Sequence, residues 1–330
     1  MTSTAFQALR SVGAFALSAK SERRRNSLVI LCYHGLSLHD EHLWWPHLYI
    51  TPEQFRERMR CLETIGASVL PFDEALARLQ KRDLPPRSVT ITFDDGFVDF
   101  LQNGVPILSE YGYPSTLYLT THYSNHRLPI INLVLDYVLW KSGRRSVHFP
   151  ELGLNGWTPI NTEQERQRVV RRLLDDFERR GMSTVTKDEA ARGLAEHLGV
   201  DYDSILRRRM FQILSPEEVQ APAHAGVNVQ LHTHRHRVPK DHELFVKEID
   251  ENRQMIIDAT GKAPVHFCYP SGEYSPEFFG WLKACGVESA TTCEIGLASQ
   301  NSPNFRLPRV LDDSGMRLVR FESVVSGLFV

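Results

Sequence analysis

Three short clusters hold the residues best suited to chemistry. The first is Thr92-Phe93-Asp94-Asp95-Gly96, directly after the β-branched run Ser88 to Phe93 (SVTITF). Two adjacent carboxylates are costly to bury without a cation. Neighbouring side chains can also divide the work, one on a metal and one on a water. Acidic pairs at strand ends bind Mg2+ in phosphoryl-transfer enzymes too, and an Asp-Gly turn with one capping Asp is the plainer alternative. The second cluster is His232-Thr233-His234-Arg235-His236, after the strand-like Val227 to Leu231. In a helical turn, residues i and i+4 share a face, so His232 and His236 can converge on one ion. His234 would lie on the other side, and His224 and His242 read as surface residues. Two imidazoles with one carboxylate make an open site, with positions left for water and substrate. The third cluster is Phe267-Cys268-Tyr269-Pro270-Ser271-Gly272. Pro and Gly force a tight turn there, which is either structural or aims a backbone N–H at a developing oxyanion.

Each cluster closes a strand, and the rest of the chain supplies the matching elements. Ser27 to Tyr33 (SLVILCY) reads as a buried strand and Pro114 to Thr121 as another. Pro264 to Tyr269 carries the third cluster. Helices are expected from Thr51, with Pro52 at the first position and Gln54 completing a capping box. Others are expected over Phe97 to Tyr111, from Ser215-Pro216-Glu217-Glu218, over Asp241 to Thr260, and from Ser275 to near Gly286. Strands alternating with helices argue for a parallel α/β core, in which chemistry gathers at the C-terminal strand ends. The segment from about Tyr123 to Leu214 breaks the rhythm with polar helical stretches such as Thr162 to Arg180 and the more apolar Leu128 to Trp140. It reads as an insertion.

The 330 residues suit one large domain plus an insertion better than two equal domains. A net charge of −2 gives no sign of a nucleic-acid partner. The runs Arg23-Arg24-Arg25 and Arg207-Arg208-Arg209 read as solvated helix faces. Five cysteines without zinc-knuckle or CxxC spacing favour a reducing compartment, and Cys32 and Cys268 sit in apolar strands as small hydrophobes. No apolar run approaches a membrane span. Residues 1–26 form a helical or flexible segment: an amphipathic helix touching a membrane surface, a signal peptide, or a packing helix or frayed end. A cytoplasmic or inner-membrane-associated location is expected, with the cell envelope as the alternative; oligomeric state is not encoded in any pattern.

Together the clusters resemble the polysaccharide deacetylases, also described as carbohydrate esterase family 4 or the NodB-homology domain. TFDDG resembles the family's first motif, HTHRH its H-[ST]-x-x-x-H-type metal motif, and CYPSG its R-x-P-x-G motif. Leu31-Cys32-Tyr33-His34-Gly35 resembles the YH-containing first strand of many bacterial members. The resemblance covers residues 27–122 and 210–312. It implies a distorted (β/α)7-type barrel over 27–122 and 210–330; the largely helical insertion at 123–209, which joins a strand ending at the metal face to a later core element, is expected to cap or wall the substrate groove. It also implies Asp94 as catalytic base, Asp95, His232 and His236 as metal ligands, and the Ser271 backbone N–H as oxyanion donor. The metal is expected to be zinc, with other first-row divalent ions as alternatives.

Two departures stand out. Cys268 occupies the place of an arginine that orients the base in the family, so Arg306 or Arg309 is a candidate substitute, against a surface or packing role. The family's late Leu-x-His, which supplies the general acid, is absent, and no histidine follows His266. His34 is the candidate proton donor or substrate contact; a hydrogen-bonded core histidine is the alternative. Trp140, Trp157 and one of Trp44 and Trp45 are candidate sugar-stacking residues, against core packing. The expected activity is removal of N-acetyl groups from amino sugars of a bacterial glycan, exopolysaccharide or glycan intermediate. Alternatives are a non-sugar amide hydrolase on the same barrel and a catalytically silent glycan-binding protein. A phosphoryl-transfer enzyme leaves the histidine pair unexplained, and no glycine-rich phosphate loop is present.

Overall fold

A computed structural model of the chain describes residues 3–328. Its centre is a ring of parallel strands: β1 (Ser27–Tyr33), β2 (Ser88–Phe93), β3 (Thr116–Leu119), β4 (Asn228–Leu231), β5 (His266–Cys268), β6 (Ser289–Ile295) and β7 (Leu307–Leu311). Neighbours in space follow chain order. β1 pairs with β2 from Val29↔Val89 to Tyr33↔Phe93 and with β7 at Leu31↔Val310 and Cys32↔Leu311, which closes a seven-stranded barrel. Every residue of β1 and β2 is buried, as strands covered on both faces require. The α/β barrel expected from the sequence is therefore present.

The helices form where their caps predict. Thr51 and Gln54 make a reciprocal capping box before Pro52–Thr64, as do Ser215 and Glu218 before Pro216–His224. Asp241 caps His242–Thr260, and Gly261 ends it at φ 70°. The helix expected over Phe97 to Tyr111 is less regular: Phe100–Gly104 is a π-turn, followed by α-helix Val105–Tyr111. Pro106 has no N–H to donate, which loosens the ladder at that point.

The bottom of the barrel is plugged. Helix Phe72–Lys81 drives Phe72, Ala75 and Leu79 against Leu28, Ile30, Ala298 and Leu307 as a core of its own. The Phe72 ring meets His266 edge-on, with centroids 4.9 Å apart. Residues 3–25 form three short helices, and Phe6 and Phe15 are buried. Arg10 pairs with Glu322 of the last helix, Leu318–Val325, at 3.0 Å. Buried Arg24 donates to the carbonyls of Val325, Ser27 and Ser88, stitching both chain ends to the barrel floor.

Between β3 and Pro216–His224 lie helices Ile131–Lys141, Glu163–Arg179, Thr184–Leu198 and Tyr202–Arg208. A hairpin, Ser146–Phe149 with Leu154–Pro159, sits among them and has no counterpart in the sequence reading. Its two short strands carry too few alternating residues to stand out. Helix Ile131–Lys141 docks on the loop after β1: Trp44 Nε1 donates to Asp136 at 2.9 Å, and Tyr137 donates to Asp40 at 2.6 Å. Among the described residues, no helix is long and apolar enough to cross a membrane.

Phe72 fills the floor completely, so Phe72→Ala is expected to cost about 3–5 kcal/mol. Urea unfolding checks this; a midpoint close to that of wild type would show that the plug carries little of the barrel's stability.

Candidate active site

β2 runs straight into Asp94, whose N–H donates to Tyr33 O at 2.9 Å and continues the pairing with β1. The chain then turns sharply: Asp95 has φ 70° and Gly96 φ 89°. A Cβ on Gly96 would lie 2.2 Å from Leu119 Cδ1, so this position takes only glycine without rearrangement. Thr120 N–H donates to Asp95 O at 3.1 Å and fixes the turn against β3.

The histidine cluster follows β4 as a loop rather than the helical turn expected from its i, i+4 spacing. Thr233 and His236 are left-handed, with φ 62° and 53°. This curl still brings the His232 and His236 rings to 5.0 Å between centroids. Glu248 clamps the loop, accepting from the Arg235 N–H at 2.7 Å and from Arg237 Nε at 2.8 Å. His234 points away and meets Thr121 Oγ1 at 2.9 Å.

Asp95 Oδ1 lies 3.2 Å from both His232 Nε2 and His236 Nε2. It is buried and has no hydrogen-bond partner. His232 Nδ1 meets Cys268 O at 2.8 Å, which assigns the ring proton to Nδ1 and leaves the Nε2 lone pair facing Asp95. A tetrahedral ion with bonds of about 2.0–2.1 Å has ligand edges of roughly 3.3 Å. The donor set, its spacing and the orphaned oxygen therefore fit a divalent ion.

Asp94 is gripped from β7. Arg309 NH1 and NH2 donate to its two carboxylate oxygens at 2.7 Å each, with both side chains buried. Arg309 NH2 also lies 3.1 Å from Cys268 Sγ. The arginine missing at position 268 is thus supplied by Arg309, from a different strand. Arg306 instead pairs with Glu294 at the surface, as close as 2.6 Å. Burial pushes the Asp94 carboxyl up, but Arg309, His34 and His232 hold it well below the usual carboxylate range. Burial likewise opposes ionisation of Asp95, and the two imidazoles outweigh it.

Asp94, Asp95, His232 and His236 line a cavity of about 450 Å³. Ser271 stands in its wall, left-handed at φ 56° within the turn Pro270–Gly272. His34 lines it too, with Nε2 3.6 Å from Asp94 Oδ2 and Nδ1 buried without a partner. Burial lowers its pKa against the opposing pull of Asp94 and Asp95.

Of the tryptophans, Trp45 lines the cavity, whereas Trp44 is buried among Tyr49, Tyr137 and Phe211. Trp140 packs on Tyr137 and Trp157 lies exposed on the hairpin, so neither meets the cavity. Tyr123, Ile130, Asn132 and Leu133 line it instead. Sequence reasoning missed these four; the only signal was the apolar run in which the last three lie.

Because Gly96 lets the turn pass under Leu119, Gly96→Ala is expected to weaken divalent-ion affinity about tenfold or more. Calorimetric titration with Zn2+ measures this; unaltered affinity would mean that the turn tolerates a Cβ.

Comparison with known proteins bears on the family and the fold. The family model for polysaccharide deacetylase matches residues 81–290. YxkH of Bacillus subtilis, named as a polysaccharide deacetylase, is 27% identical over 140 residues, 42% of this chain and 48% of that protein. The poly-beta-1,6-N-acetyl-D-glucosamine N-deacetylase of Staphylococcus epidermidis is 31% identical over 74 residues, 22% of this chain and 26% of that one. The matches thus span about half and a quarter of those relatives. Among solved structures, the Streptococcus pyogenes deacetylase PplD in complex with acetate superposes with a TM-score of 0.60 at 16% identity, covering 92% of this chain and 99% of that one. IcaB from Ammonifex degensii gives 0.54 at 18% identity, covering 91% and 96%. At such identities the structures speak for the shared barrel, while the family model spans well over half the sequence, and the chain belongs to the polysaccharide deacetylase family.

Proposed function

We infer that this deacetylase is metal-dependent and hydrolyses N-acetyl groups of amino sugars in a bacterial glycan, exopolysaccharide or glycan intermediate. The observation that carries this reading is Asp94, kept ionised by Arg309 beside the convergent Asp95, His232 and His236. A base next to an ion site is what amide hydrolysis by water requires, and a glycan-binding module has no use for it. The staphylococcal relative's name supports a poly-N-acetylglucosamine type of substrate.

Asp95, His232 and His236 would hold the ion, zinc foremost among first-row divalent ions. Bound there, it would supply Lewis acidity to the acetyl carbonyl and to the attacking water. Asp94 takes the water's proton. Arg309 holds both Asp94 oxygens by bidentate hydrogen bonds, so the base is aimed before substrate arrives. The Ser271 N–H donates to the developing oxyanion. His34, with Nε2 3.6 Å from Asp94 Oδ2, relays the proton that Asp94 took from water to the leaving amine, which returns both groups to their starting state. The C–N bond breaks, and the products are acetate and a free amino sugar. Residues 123–209 act as a cap, contributing Tyr123, Ile130, Asn132 and Leu133 to the substrate wall. Trp45 offers an aromatic face to the sugar.

Asp94→Asn is expected to keep the metal but lose acetate release by about 10²–10⁴-fold, while His236→Ala loses the metal itself. Elemental analysis beside an acetate assay on N-acetylglucosamine oligomers separates the two. Retained activity in Asp94→Asn would remove it as the base.

Arg309 counteracts the burial that favours a neutral Asp94. In Arg309→Met the carboxyl pKa rises, and the base is lost at higher pH on acidification. The acid limb of the kcat/KM profile is therefore expected to move upward relative to wild type; an unmoved limb would mean that another group sets it.

A further inference from the structure

The ends of β1 and β2 place a second set of metal-binding atoms beside the first. Cys32 and His34 are two residues apart, so their side chains leave the extended chain on the same side. Cys32 Sγ lies 3.7 Å and His34 Nε2 3.6 Å from Asp94 Oδ2. All three donor atoms fall within 4.8 Å of one another. A tetrahedral ion with bonds of about 2.3 Å to sulfur and 2.0–2.1 Å to nitrogen or oxygen has edges of roughly 3.3–3.6 Å. The contacts around Asp94 Oδ2, at 3.6 and 3.7 Å, exceed the matching edges by a few tenths of an ångström, which small side-chain rotations close. Cys268 Sγ, 3.4 Å from the same oxygen, puts another thiol next to it.

This set shares no ligand with Asp95, His232 and His236, so an ion in one takes no donor from the other. The remaining combination, Asp94, His232 and Cys268, takes a ligand from the first set and competes with it. A thiol among the donors selects for soft and borderline ions over Mg2+ or Ca2+.

We propose that Cys32, His34 and Asp94 form a second, inhibitory site for soft divalent ions such as Cd2+ or excess Zn2+. On binding, the hydrated ion exchanges waters for three protein donors. The Cys32 S–H proton passes to solvent, and no electron is transferred. Asp94 Oδ2 then donates its lone pair to the ion and no longer accepts the water's proton. The Arg309 cation on Asp94 opposes a second dication, while thiol ionisation offsets part of that repulsion. The site therefore fills after the first. Only the loss of activity rests on Asp94 being the base; the binding does not.

The test adds Cd2+ to protein already carrying its first zinc ion, following the ultraviolet thiolate-to-cadmium charge-transfer band and acetate release together. The Asp95 site has no sulfur and gives no band. The expected result is a band that saturates at about one added equivalent per chain, with acetate release falling in step. Cys32→Ala should abolish the band and weaken that equivalent about tenfold or more. Cys293→Ala, which removes the exposed thiol of the cavity wall, should keep both effects. No band in wild type overturns the proposal, as does a band that persists in Cys32→Ala or vanishes in Cys293→Ala. If Cys32→Ala fails to fold, Cys32→Ser, which keeps the volume but removes the sulfur, carries the same test: a band that persists in it overturns the proposal. A full band with undiminished acetate release overturns the inhibition and tells separately against Asp94 as the base.

Discussion

Inside the barrel mouth, a guanidinium from β7 holds the carboxylate that follows β2 through two hydrogen bonds of 2.7 Å. Their side chains are 1% and 2% exposed, so neither charge has water to fall back on. Leaving one such charge buried alone costs about 3–5 kcal/mol, which makes the pair an all-or-none feature. Its reach depends on barrel closure, because β1 lies between the two strands. It also depends on Cys268 being small. The Cys268 sulfur touches Arg309 NH2, and a longer side chain there would occupy the space the guanidinium fills. Asp94 thus receives a fixed charge and a fixed direction from the scaffold itself.

The rest of the site is held against its own conformational preference. Asp95, Thr233, His236 and Ser271 all adopt left-handed backbone, which non-glycine residues avoid. Neighbouring groups hold Asp95 and the histidine loop in place. Thr120 ties Asp95, the Cys268 carbonyl orients His232, and Glu248 fastens the loop that carries His236. Asn252 accepts from the His232 N–H at 2.9 Å and donates to Leu119 O, linking two strand ends. The Asp95, His232 and His236 side chains are therefore held convergent by the protein itself.

What was legible in the sequence was local. Asp94 and Asp95 are adjacent, His232 and His236 are four apart, and each cluster ends a buried strand, so type and spacing revealed them. The i, i+4 spacing suggested a helical turn, yet Thr233 and His236 reach the same convergence through positive φ, which no pattern of side chains announces. Arg309 was one of two arginines in reach of the argument. Only the closed barrel separates it from Arg306, since residues three apart along an extended chain face opposite sides and only one side meets the barrel interior. The cavity wall from residues 123–209 was illegible for a similar reason. Which apolar residues meet the mouth depends on how helix Ile131–Lys141 docks through Asp136 and Tyr137, a tertiary matter.

The placement of Arg309 also sets an order of events. Its partner Asp94 lies 215 residues earlier in the chain. Contacts of such separation form late, because a long loop must be closed before they give anything back. During synthesis the DDG turn and the histidine loop both emerge well before β7. Until that last strand slots in beside β1, the Asp94 carboxylate has neither its counter-charge nor its orientation. The growing chain therefore carries an unfinished barrel mouth, and closure of the barrel and neutralisation of its buried carboxylate become one event.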